Sequence, residues 1–237
     1  MEITNELKAL HLGGMADCWT ALLETRRTES VTLQEGLRLL LQAEKDRRKE
    51  KRMMKLIKNA KFRYNASIEH LVFDNAKGRD KDRIMELATC EFLKGGLSVL
   101  ISGPTGVGKS YLATALGYQA CLNGYKVIYY NMQKLLEAVN VARISSAISK
   151  FFDRMAETDL LIIDDFGMKK LEGQQLLDFL EIIEDRHGRK STIIASQLPI
   201  KDWYDVLSKN KTIADSIMDR IVKSSYHFNL SGESMRK

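Results

Sequence analysis

Cysteine is scarce in this chain of 237 residues. Cys18, Cys90 and Cys121 are odd in number, widely spaced and never arranged as C-x-x-C, which argues against a disulfide framework and a zinc ribbon. They read instead as small core residues. The four histidines, His11, His70, His187 and His227, are scattered with no i,i+4 pair and no cysteine nearby, so no metal site of that kind is expected. No run approaches the roughly 18 apolar residues that cross a bilayer, and no apolar leader opens the chain; no membrane partner and a cytoplasmic location are expected. No internal repeat is found.

What is present is an ordinary globular composition, 44% hydrophobic and 29% charged, long enough for one α/β domain and a smaller appendage. The net charge of +6 is placed unevenly. Between Lys45 and Arg63 ten basic residues stand against Asp46 and Glu50, a local excess of eight that exceeds the excess of the whole chain. A basic stretch that dense suits the phosphate backbone of nucleic acid, with Arg47, Arg48, Lys49, Lys51, Arg52, Lys55 and Lys58 as the candidate contacts. A solvated helix face is the alternative.

Residues Gly103-Pro104-Thr105-Gly106-Val107-Gly108-Lys109-Ser110 match G-x-x-x-x-G-K-[ST] in full. The apolar run 97–102 precedes them and a helical pattern from Tyr111 follows, which is the context this phosphate-binding loop requires. Glycines let successive N–H groups turn toward phosphate oxygens. Lys109 is expected to reach the β- and γ-phosphates, Ser110 to ligate Mg²⁺, and Tyr111 to complete the nucleotide contacts. Downstream, Leu160-Leu161-Ile162-Ile163 leads into Asp164 and Asp165. Acids emerging from the carboxyl end of a buried strand are placed to hold Mg²⁺ (Asp164) and to polarise an attacking water (Asp165). Capping of a following helix is the alternative for the pair.

Around these motifs the pattern predicts a helical N-terminal domain over 1–64, a linker over 65–78 and a nucleotide domain over 79–237. Thr32 and Glu35 stand in capping-box spacing before a long helix, while Gly13-Gly14 interrupts or kinks the apolar stripe from Leu7 to Trp19. From residue 80 onward helices and strands alternate, which predicts a parallel sheet flanked by helices. One amphipathic helix is expected over 82–93, and strands over 126–130, 160–164, 192–196 and 226–230.

The stretches 7–16, 103–110, 161–167, 193–199, 215–221 and 232–236 together resemble the IstB/DnaC group of AAA+ P-loop ATPases, the IstB-type transposition helpers above all. The resemblance covers essentially the whole chain. It implies ATP and Mg²⁺ as cofactors, and duplex DNA, a transposase and further copies of the chain as partners. It further implies a polar sensor at Gln197 (Ser196 as alternative), an arginine finger at Arg220 that enters a neighbour's site, and a second sensor arginine at Arg236. A replicative helicase loader is the alternative within the group. A small-molecule phosphotransferase and an ATP-assembled scaffold with vestigial hydrolysis stand outside it.

Overall fold

A computed structural model describes residues 2–207 and 211–235, and the chain divides into two compact units, Met1–Lys55 and Leu56–Lys237. The first unit holds α1 (Glu2–Ala9), α2 (Gly13–Glu24) and most of α3 (Leu33–Ala60). The glycine pair lies at the start of a helix, not within one. His11 takes a left-handed φ of 58°, the chain turns, and α2 begins at Gly13. Gly14 permits a close crossing, because a Cβ there would stand 2.5 Å from the Ala43 carbonyl oxygen of α3. The Glu44 carboxylate accepts the Gly14 N–H at 2.7 Å and so caps α2 from the facing helix. The capping box forms as its spacing predicts: Glu35 N–H donates to Thr32 Oγ1 at 3.3 Å, and Thr32 N–H donates to Glu35 Oε2 at 3.2 Å. The Thr32 N–H and then its hydroxyl, both donating to the Glu35 carboxylate, hold that carboxyl below its usual range.

In the second unit, Ala66 and Ile68 pack into the core. There follow α4 (Lys81–Ala88), α5 (Glu91–Lys94), β1 (Ser98–Ser102), α6 (Lys109–Leu122), β2 (Val127–Asn131), α7 (Met132–Ile144) and α8 (Ile148–Glu157). The chain continues through β3 (Leu160–Phe166), α9 (Gln174–Arg186), β4 (Ser191–Ser196), α10 (Trp203–Val206), α11 (Lys211–Val222) and β5 (Ser225–Asn229). The single helix expected over 82–93 is two, because Cys90 adopts φ 65° between them. Asn131 caps α7 through the Gln133 N–H at 3.0 Å.

All strand pairs are parallel, in the order β2-β3-β4-β1-β5. Strand residues alternate between two cores. Val99, Ile101, Ile162, Ile193 and Ala195 face α4 and α6, while Leu100, Leu161, Ile163 and Ile194 face α7, α9 and α11. Both faces are covered, which is why the strands read as continuous apolar runs. Arg186 is buried on this second side with no acidic hydrogen-bond partner among the described residues. Its guanidinium donates instead to Thr192 Oγ1 and to the carbonyls of Met155, Thr158 and Ser191, tying α9 to the start of β4 and the end of α8. Among the described residues no helix is long and apolar enough to cross a membrane.

Candidate nucleotide-binding site

Because every strand runs the same way, the carboxyl ends of β1, β2, β3 and β4 meet along one edge. Register places Asn131 beside Asp164, and Ser102 beside Ser196. The loop 103–110 leaves β1 at that edge and enters α6. Gly106 and Gly108 take φ of 87° and 94°, a region a Cβ strains, which explains the glycines of the motif. A cavity of about 370 Å³ opens over the loop, lined by Lys109, Ser110, Asp165 and Gln197 and also by Tyr64, Leu71, Val72 and Tyr111.

Asp164 is buried and fully engaged. Its Oδ1 accepts from Ser110 Oγ at 3.0 Å and from the Asp165 N–H at 2.9 Å, while Oδ2 accepts from the Tyr129 hydroxyl at 2.5 Å. Burial, followed by this hydrogen bond to a carboxylate, pushes the Tyr129 phenol well above its usual range, so it stays a donor. Asp165 sits on a bulge where the β3–β4 register shifts between Ile163 and Phe166, at φ 56°. The bulge turns its side chain away from Asp164's environment. Its Oδ2 accepts from Asn131 Nδ2 at 2.8 Å, and Arg63 approaches it at 3.7 Å. A non-glycine residue held at positive φ on a bulge beside a cavity is the kind of local strain that concentrates at working sites.

Lys109 is buried and donates to the loop carbonyls of Gly103 and Pro104, at 2.7 Å each. Gln197 Oε1 accepts from Thr105 Oγ1 at 2.7 Å at the cavity wall. Ser196, fully buried, donates to the Phe166 carbonyl at 2.7 Å and accepts from the Leu198 N–H at 3.1 Å, so its hydroxyl is committed to the strand end.

The structure does not bring Arg220 to this edge. It lies on α11 near Gly96, Ser98 and Thr192, at the amino ends of β1 and β4. Its Nε pairs with Glu184 at 2.5 Å, and Nη1 donates to the Ser216 carbonyl at 2.9 Å. A strand length separates it from its own loop. Arg236 lies outside the described residues. Of the basic residues on α3, Arg47 pairs with Asp17, and Arg48 with Glu44 at 2.7 Å. Lys49, Lys51, Arg52, Lys55 and Lys58 are exposed. Arg48, Lys51, Arg52 and Lys55 follow i, i+3, i+4, i+7 spacing and form one basic stripe. Thr105 belongs to the loop motif, whereas Tyr129, Asn131 and Arg63 carry no nucleotide motif and are not legible as site residues. Only the alignment of strand ends reveals them.

A parallel sheet of this strand order with a phosphate loop after β1 defines the AAA+ P-loop fold. Solved structures share it: the DnaC helicase loader (20% identical, TM-score 0.61, over 73% of this chain and 100% of that one) and AMPPCP-bound DnaA from Aquifex aeolicus (21%, 0.61, over 73% and 53%). At that identity the likeness is one of fold. The chain belongs to the IstB-like ATP binding protein family, whose family model matches residues 5–237. It is 36% identical over 233 residues to an insertion sequence ATP-binding protein of Sinorhizobium fredii (strain NBRC 101917 / NGR234), covering 98% of this chain and 95% of that protein. It is also 39% identical over 198 residues to the ATP-binding protein of insertion sequence IS1162 from Pseudomonas fluorescens, covering 82% and 85%.

Proposed function

We propose that this chain binds and hydrolyses ATP at the carboxyl edge of its sheet, assembles with further copies of itself on duplex DNA, and presents that DNA to a transposase in the cytoplasm. The observation that carries the reading is the convergence of Ser110 Oγ and Asp164 Oδ1 at 3.0 Å beside the loop, where Ser110 lines the cavity. Relatives of nearly full length named for insertion sequences direct it toward transposition.

In this reading the loop N–H groups and the amino end of α6 hold the phosphates. The Lys109 ammonium, now on two loop carbonyls, exchanges them for phosphate oxygens. Ser110 and Asp164 would hold Mg²⁺: one hydroxyl and one carboxylate fit a cation that keeps its remaining positions for phosphate and water. When bound it neutralises charge on the transferring phosphoryl group. Tyr129 fixes the Asp164 carboxylate for that task. Asp165 polarises the attacking water once its carboxylate leaves Asn131, and Gln197, at the cavity wall, is favoured over Ser196 as the polar sensor. The apolar wall of Leu71, Val72 and Tyr111 suits the adenine ring. Arg236 would add a second cation from the same chain.

Arg220, on the opposite edge, serves a neighbouring copy. Its guanidinium would exchange Glu184 for the neighbour's phosphoryl group, which makes hydrolysis conditional on assembly. The basic stripe of α3 meets the DNA backbone. Nucleotide affinity, phosphate release and particle size on duplex DNA test this in Lys109→Ala and Arg220→Ala. Lys109→Ala is expected to lose ATP binding and assembly together. Arg220→Ala is expected to bind ATP normally, turn over about 10³-fold more slowly and form no large particles. Wild-type turnover in Arg220→Ala would remove the finger, and wild-type affinity and particle size in Lys109→Ala would remove the whole reading.

A further inference from the structure

Arg79 belongs to none of the motifs, yet it is 93% buried and lines the cavity over the phosphate loop. Its backbone is pinned on both sides, with the Arg79 N–H donating to the Asp74 carbonyl and the Asp74 N–H donating to the Arg79 carbonyl, each at 3.0 Å. The side chain therefore projects from a fixed base. Among the described residues Nε has no hydrogen-bond partner, and the guanidinium's acceptor is the Met235 thioether, 2.7 Å from Nη1. A buried guanidinium normally carries several oxygen acceptors, as Arg186 does here. Thioether sulfur is a weak one.

Met235 is itself half exposed. Its N–H donates to the Gly106 carbonyl at 2.9 Å, and its sulfur stands 3.7 Å from where a Cβ on Gly108 would be. The segment 231–235 thus reaches the loop, and Arg79 meets it there at Met235.

We propose that Arg79 is a nucleotide-contacting residue, whose Nε and Nη form a fork that takes a phosphate oxygen of the bound nucleotide in exchange for the Met235 sulfur. A charged acceptor outcompetes a thioether, so the exchange runs toward the nucleotide. It also releases one of the two ties that hold residue 235 over the loop, which couples occupancy of the site to the position of the segment 231–235. This rests on the reading of 103–110 as a triphosphate site.

The test measures equilibrium binding of ATP and of inorganic tripolyphosphate to the full chain, with unfolding midpoints taken without ligand. Arg79→Met is expected to weaken both ligands by about 10- to 100-fold at an unchanged midpoint, since it deletes a charge-assisted hydrogen bond but keeps bulk. Arg79→Lys, which keeps the charge and loses the fork, should fall between it and the wild type, and it carries the test if the methionine variant fails to fold. Met235→Leu should bind ATP at least as tightly as the wild type. Wild-type affinity in Arg79→Lys and Arg79→Met, beside a Lys109→Ala chain that has lost ATP, overturns the assignment and leaves the triphosphate reading intact. Weakened ATP with undiminished tripolyphosphate moves the contact from phosphate to base and likewise overturns it. A wild-type chain that binds neither ligand removes the triphosphate reading itself.

Discussion

Two kinds of buried polar side chain meet at the scale of single residues: those whose every atom is answered, and those answered for a purpose. Tyr129 is of the second kind. Its hydroxyl ends on Asp164 Oδ2, so Tyr129→Phe should keep ATP affinity while lowering turnover about tenfold and raising the Mg²⁺ concentration needed for half-maximal rate. Steady-state phosphate release against Mg²⁺ checks this, and an unchanged Mg²⁺ dependence would deny Tyr129 that role. The cysteines behave oppositely, as apolar volume. Burial pushes Cys90 up to about 11 and Cys121 up to about 12. At pH 8 their thiolate fractions are then about a thousandth or less, and alkylation of the native chain should label Cys18 alone, with the other two reacting only on unfolding. A raised folded-state value means the unfolded chain gives up these protons first. The stability they contribute is therefore complete below about pH 9 and lost as pH rises through 11 and 12. Unfolding midpoints that do not fall across that window would contradict the burial.

Elements meet through backbone as much as through side chains. At the α2–α3 crossing a Gly14 Cβ would strike the carbonyl of Ala43, which is main chain and cannot swing aside. Gly14→Val should cost the first unit roughly 2–4 kcal/mol. The expected signature is loss of helical signal and of DNA binding while the second unit retains ATP affinity; an unchanged denaturation profile would sink this. On β3 the bulge does comparable work. By inserting one residue it sends Asp164 to Ser110 and Tyr129, and Asp165 to Asn131, so that adjacent acids serve different neighbours.

For the molecule as a whole, the two ends of the second unit's sheet carry different features. The carboxyl edge holds the cavity, and the amino edge holds Arg220. In the function proposed above, these two edges would meet only between copies of the chain. On α3, Lys51, Arg52 and Lys55 are exposed on one stripe, and their replacement by Glu should abolish duplex DNA binding while leaving ATP affinity unchanged. If about five phosphates are neutralised by each copy, log affinity should fall with log salt at a slope near −4 to −5. A slope near zero would assign the first unit to a protein partner instead.

The sequence by itself determined the parts whose chemistry is local: the glycine loop, the acids at the end of an apolar strand, the capping box at Thr32 and the alternation that makes a parallel sheet. Each is a short run whose spacing is its geometry. Only the tertiary structure decided which residues share an edge. Tyr129 and Asn131 reach the acids, and Arg79 the cavity, across separations of tens to more than a hundred positions, and no local pattern marks them. The break at Cys90 and the positive φ of Asp165 were likewise unreadable: packing imposes the first on a residue with little preference for it, and although aspartate tolerates the second, nothing local demands it.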